Sequence, residues 1–259
     1  MVRRATPVTG LAGPLAGLEH VSAGYGREFV IEDVTFSVAP GEFVALVGPN
    51  GSGKSTLLRV LLGTLSPTVG SVTLFGRPSG EAEDRWGLGY VPQRPSLASE
   101  IPATVRELVE AGRLRRGSWW RTLDAADRDA VEHSIASVGL SAVRDRPLHE
   151  LSVGQQQRAF IARAFAGEPS LLVLDEPIAG VDADSQRRFR DSLVHQIEEH
   201  GTGVLLVSHE LSAVAPDVDR VLVLKRRLLF DGTPADLVER GVSLGIHQED
   251  LPLWLEGLL

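Results

Sequence analysis

The run GPNGSGKST, from Gly48 to Thr56, satisfies the spacing G-x-x-x-x-G-K-[ST]. Its glycines, Gly48, Gly51 and Gly53, let the loop wrap closely through Pro49, Asn50 and Ser52, so that backbone N–H groups can cradle a β-phosphate. Lys54 then reaches the β and γ oxygens, the Ser55 hydroxyl can bind Mg²⁺, and Thr56 completes the motif. A second group of chemistry-bearing residues ends the apolar run LLVLDE, where Asp175 and Glu176 place two carboxylates at the end of a buried strand. Such a pair is costly unless a metal ion or hydrogen bonds compensate it. Asp175 can join a Mg²⁺ shell, and Glu176 is placed to polarise a water for in-line attack on a γ-phosphate. A third stretch, LSVGQQQRAF from Leu151 to Phe160, reads as a small polar turn that opens a helix and presents N–H groups to an anion. One chain of 259 residues thus carries a complete phosphate loop and a second phosphate-facing helix start.

The elements that must hold these residues follow from hydrophobic periodicity. Leu18 to Val38 alternates as strands do, with Val34, Phe36 and Val38 on one face, and predicts an antiparallel pairing. EFVALVG is a buried strand that runs into the phosphate loop, and KSTLLRVLLG is a helix closed by Gly63. GLGYVPQ, SLLVLDE and GTGVLLVSH are further strands, which with the intervening helical text predict a mostly parallel sheet covered by helices, an α/β class. Between Gln93 and Leu151 the pattern turns helical and charged, with no strand. RVLVLKRRLLFDG reads as a hairpin, TPADLVER as a short capped helix, and DLPLWLEGLL as an amphipathic terminal helix.

Composition narrows the function classes. A 43% hydrophobic content suffices for a real core, and no apolar run is long enough to cross a bilayer. The absence of Cys excludes thiolate metal sites and disulfides. A formal charge of −8 argues against a nucleic-acid binder. The opening MVRRATPVTGLAGPLAG has no sustained apolar segment after its arginines and reads as a loose tail rather than a signal peptide, which predicts a cytoplasmic location.

In order along the chain stand Tyr25, the Gly48 to Thr56 loop, Gln93, LSVGQ, LVLDEP, AGVD with Asp182, and His209. This succession resembles the ATP-binding subunit of an ABC transporter, with the likeness running from about Leu18 to Gly232. The resemblance implies a P-loop NTPase core with an N-terminal antiparallel β subdomain and a helical subdomain. It divides the chain into a flexible tail at 1–14, an ATPase domain at 15–240 with the helical subdomain inserted at about 94–160, and a C-terminal extension at 241–259. It implies ATP and Mg²⁺ as ligands. Tyr25 would stack on adenine; Gln93, Glu176 and His209 would serve hydrolysis; and Ser55, Gln93 and Asp175 would hold Mg²⁺. Ser152, Val153, Gly154 and Gln155 would face the ATP held by a partner copy, and Asp182 would touch that copy. The second helix start would then serve a head-to-tail homodimer in which ATP is part of the interface.

Two positions depart from the family pattern: Val153 stands where Gly is usual, and Ile178 where Thr or Ser is commoner. A β-branched residue is disfavoured at positive φ, so either position 153 has ordinary negative φ or its loop is strained. The resemblance also implies integral-membrane permease subunits as partners, an extracytoplasmic solute-binding protein indirectly, and a peripheral position on the cytoplasmic face of the membrane. In PSLASEIPATVRELVEAGRLRRGSWWRTL, Trp119 and Trp120 serve permease docking or internal packing. Arg113, Arg115, Arg116 and Arg121 meet lipid heads or permease carboxylates, or form a solvated face. IPATVRELVEAGRL and the text from LSVGQQQRAF to LLVSHEL are similar to the branch of zinc, manganese and related transition-metal importers. A neighbouring branch serves ferric siderophores and cobalamin, and soluble non-transport ABC ATPases are the remaining alternative.

Overall fold

The computed structural model describes residues 13–26, 28–80, 87–93, 102–114, 122–177, 183–208 and 214–240. The expected terminal tail up to residue 12, the C-terminal extension at 241–259, Trp119, Trp120, Arg115, Arg116, Arg121, Ile178, Asp182 and His209 lie outside them. The chain forms two compact units, Met1–Arg85 with Ile197–Leu259, and Trp86–Gln196.

The first unit holds two sheets. One is antiparallel, in the order β2-β1-β4-β5: β1 (Ala16–Tyr25), β2 (Glu28–Val38), β4 (Val69–Leu74) and β5 (Arg77–Pro78). The alternation read from the sequence sets its register, with Leu18 opposite Phe36 and Val34, Phe36 and Val38 buried. The other sheet contains β3 (Phe43–Val47), every residue of which is buried. Parallel to β3 run β8 (Gly203–Val207) and β9 (Arg220–Lys225), and β9 turns back as a hairpin into β10 (Arg227–Gly232). The all-apolar runs of β3 and β8 are what a strand needs when neighbours cover both its faces. Helix α1 (Lys54–Leu61) follows β3 directly and ends two residues before Gly63. Helix α6 (Pro234–Arg240) is capped by Thr233, whose hydroxyl accepts the N–H of Asp236 at 3.2 Å.

The second unit joins a parallel strand pair, β6 (Leu88–Val91) and β7 (Leu171–Asp175), to four helices. These are α2 (Val105–Glu110), α3 (Ala125–Ser137), α4 (Val153–Ala166) and the start of α5 (Ala183–His200). Capping boxes on Thr104, Asp124 and Ser152 start α2, α3 and α4, each contributing about 1 kcal/mol. Arg113, in the turn three residues past the end of α2, ties the helices together: its guanidinium donates to Asp127 of α3 at 2.9 Å and to the Ala166 carbonyl of α4 at 2.9 Å. This arginine is therefore a structural clasp rather than part of a solvated face. The ion pairs with Asp127 and Glu168 outweigh the opposing effect of burial and hold its pKa above the ordinary value.

Candidate functional site

In the first unit, β3 delivers the chain at Gly48 into a loop that α1 closes. A Cβ on Gly48 would stand 2.2 Å from the Leu224 carbonyl oxygen, so only glycine admits this approach to β9. Gly53 is the residue before α1 and has φ of 106°, a left-handed conformation that other residues resist. As a glycine it offers no side-chain cap, in contrast to the capping boxes of α2, α3 and α4. The first-turn N–H groups of α1 have no helical carbonyl to meet and no capping side chain from Gly53, an arrangement suited to an anion.

Lys54 is 8% exposed, and its ammonium donates to the Gly48 carbonyl at 2.5 Å and to the Pro49 carbonyl at 3.2 Å. A nearly buried cation is tolerable only with such partners. It is thereby held over the loop, where phosphate oxygens could replace the carbonyls. The Ser52 hydroxyl is buried with no hydrogen-bond partner among the described residues, a cost of about 1–3 kcal/mol that an anion accepting its proton would remove. Ser55 is exposed on the first turn of α1, and Thr56 beside it is buried. Tyr25, at the end of β1, is 51% exposed, and its hydroxyl accepts from Arg59 of α1 at 2.7 Å. One face-bearing ring is thus fixed by the helix that carries Lys54. Sequence reasoning missed Arg59, because nothing local links it to a residue in another element.

In the second unit, β7 carries Asp175 as its last residue, and Glu176 follows with φ of 46°. For a non-glycine residue before proline that conformation costs about 1–3 kcal/mol, and such strain clusters at functional positions. The turn ends the strand and leaves the Glu176 carboxylate to accept a 2.7 Å hydrogen bond from Gln93 Nε2. Two candidate residues 83 positions apart are brought together. With its nitrogen turned to Glu176, the Gln93 amide presents its oxygen for a hard cation. Gln93 is itself held from behind: the buried Gln157 of α4 donates to the Pro92 carbonyl at 3.2 Å. Gln156 likewise donates to the Leu148 and Leu151 carbonyls at 3.0 and 3.3 Å, bracing the turn before α4. Both roles escaped the sequence reading, since three successive glutamines differ only in which way α4 turns them.

The polar turn does open a helix at Ser152, through a capping box. The Ser152 hydroxyl accepts the Gln155 N–H at 3.3 Å, and the Gln155 side-chain oxygen accepts the Ser152 N–H at 3.0 Å. Val153 is the first residue of α4 and is absent from the positive-φ positions, so the loop carries no strain there. The valine is 80% exposed. Next to it, a Cβ on Gly154 would meet nothing within 4 Å.

Comparison with known proteins agrees with this arrangement. Residues 31–179 match the ABC transporter family. The zinc uptake system ATP-binding protein ZurA of Listeria monocytogenes is 39% identical over 217 residues, covering 83% of this chain and 84% of that protein. The manganese transport system ATP-binding protein MntB of Halalkalibacterium halodurans is 35% identical over 92% of this chain and 94% of its own length. A dimeric ATP-binding cassette in a post-hydrolysis state, bound to ADP and phosphate, superposes with a TM-score of 0.72 at 27% identity over 84% of this chain and 98% of that one. A strand-borne phosphate loop and a strained glutamate after an apolar strand therefore have a common explanation: the chain belongs to the ABC transporter family, as an ATP-hydrolysing subunit with an α/β cassette fold.

Proposed function

We propose that this subunit powers the import of a divalent transition metal, zinc or manganese, through a separate permease. The observation that carries the reading is that the similar proteins named above serve zinc and manganese transport and align over most of this chain. In this reading the subunit sits on the cytoplasmic face of the membrane. Among the described residues no helix is long and apolar enough to cross it. Two copies act together against permease subunits that receive solute from an extracytoplasmic binding protein.

Within the dimer each residue has a role. Tyr25 stacks on adenine through its exposed ring. The loop from Gly48 to Thr56 wraps the phosphates, and Lys54 gives up its carbonyl partners for β and γ oxygens. Ser55, Gln93 and Asp175 are oxygen donors of the kind Mg²⁺ prefers and would hold it, and the ion would supply neutralisation of charge developing on the phosphates. Glu176 accepts the proton of the attacking water while Gln93 keeps its carboxylate aimed, and His209 would serve the same hydrolysis. Val153 and Gly154 support the two-copy reading. An exposed valine and a glycine that its own fold does not require are both explained by a partner's nucleotide arriving at the start of α4. Asp182 would touch that same copy.

Uptake of zinc, manganese and iron by cells lacking this chain tests the reading. Loss of zinc or manganese uptake with iron unchanged is expected, and undiminished uptake of both zinc and manganese would overturn it.

A further inference from the structure

In the second unit, His133 of α3 and His195 of α5 meet ring to ring. Their Nε2 atoms are 3.3 Å apart, the ring centroids are 5.3 Å apart, and the planes are inclined at 47°. His133 is exposed and His195 half-buried, so solvent reaches the pair. Two neutral imidazoles can share one proton at this distance, but the dimensions also fit a chelate. With Zn–N near 2.0–2.1 Å and tetrahedral angles, two ligand nitrogens lie about 3.3 Å apart and their ring centroids about 5.2 Å apart. Both observed separations match.

The pair is also built to stay in place. The Ser192 hydroxyl, one turn before His195 on α5, donates to the Ser137 carbonyl, one turn beyond His133 on α3, at 2.9 Å. This bond fixes the antiparallel register in which positions 133 and 195 face each other. Each histidine therefore comes from a separate helix whose alignment is already set, and little ordering remains for a ligand to impose.

We propose that His133 and His195 form a bidentate site for a divalent transition metal ion of borderline softness, Zn²⁺ above all, which clamps α3 to α5. Among the described residues no third His, Cys, Asp or Glu joins them to make a set of three, so water completes the coordination. A site with two protein ligands exchanges its ion readily, as a sensor does, and holds it at a Kd of about 1–100 µM, well short of four-ligand structural sites. Imidazole nitrogen favours Zn²⁺ over Mn²⁺ and gives Mg²⁺ no purchase. The site is independent of the transport reading: it would take Zn²⁺ whichever solute the permease carries.

Titration of the full-length, nucleotide-free protein with Zn²⁺, followed by calorimetry and by the thermal unfolding midpoint, tests it. The wild type should bind one equivalent in the stated range, with a raised midpoint, and Mg²⁺ should do neither. His133→Gln and His195→Gln should each weaken that binding about ten-fold or more. The double variant should be no worse than either single one, because losing either ligand breaks the chelate. His200→Gln, on the same helix, should bind as the wild type does. Equal Zn²⁺ affinity in wild type and both single variants, or no binding up to about 1 mM, would overturn the proposal.

Discussion

Gly154→Ala separates what the fold needs from what a partner needs. Gly154 is the second residue of α4, has no positive φ, and has nothing within 4 Å of where a Cβ would stand. An alanine there should stabilise the chain by about 0.5–1 kcal/mol, since glycine within a helix is that much less favourable. For a chain of this size the unfolding midpoint should rise by about 1–4 °C. Hydrolysis should respond oppositely. If the start of α4 packs against the nucleotide held by a second copy, an added methyl overpacks that contact by about 1–3 kcal/mol, and ATP-driven pairing weakens about 5- to 150-fold. The assay pairs a thermal melt with steady-state phosphate release on the same preparation. A lowered midpoint would refute the open surroundings of Gly154. A raised midpoint with unchanged hydrolysis would refute the approach of a partner's nucleotide to this helix.

Glu176→Gln should cut phosphate release by about 10²- to 10⁴-fold while ATP-bound dimers accumulate in size-exclusion chromatography; full residual turnover would reject Glu176 as the base. The same variant should leave the melting midpoint within about 2 °C of wild type, because a glutamine keeps the shape and can still accept from Gln93. Lys54→Ala should weaken ATP binding itself in equilibrium titration, through loss of the cation held over the loop, and unchanged affinity would count against the loop assignment. Gly48→Ala should destabilise by about 2–3 kcal/mol in chemical denaturation, since its Cβ would stand 2.2 Å from the Leu224 carbonyl and strand β9 would have to move.

The parts of the fold that were legible were those where one short stretch carries its own signal. β3, β7 and β8 are continuous apolar runs, and β3 ends in a spacing pattern that has few other uses. β4 and β5 carried no such signal: Val69, Gly70 and Ser71 are exposed, and only Val72 and Leu74 face the core. Helix α5 was also not singled out, because its text is charged and Phe189 and Leu193 are its only large buried apolar side chains among those described. At the candidate site, residue types were readable but pairings were not. The contacts Gln93 with Glu176 and Gln157 with Pro92, like that of His133 with His195 outside this site, span 83, 65 and 62 positions, so tertiary packing alone creates them. The question raised by Val153 was settled by its place as the first residue of α4, where ordinary helical φ suits a valine.

The most direct test couples the nucleotide site to transport. Cells lacking this chain are supplied with either the wild type or Glu176→Gln at equal abundance, and uptake of radiolabelled zinc and manganese is followed. The account predicts that the wild type restores uptake of one of these metals and that Glu176→Gln does not. Equal restoration by both would contradict it.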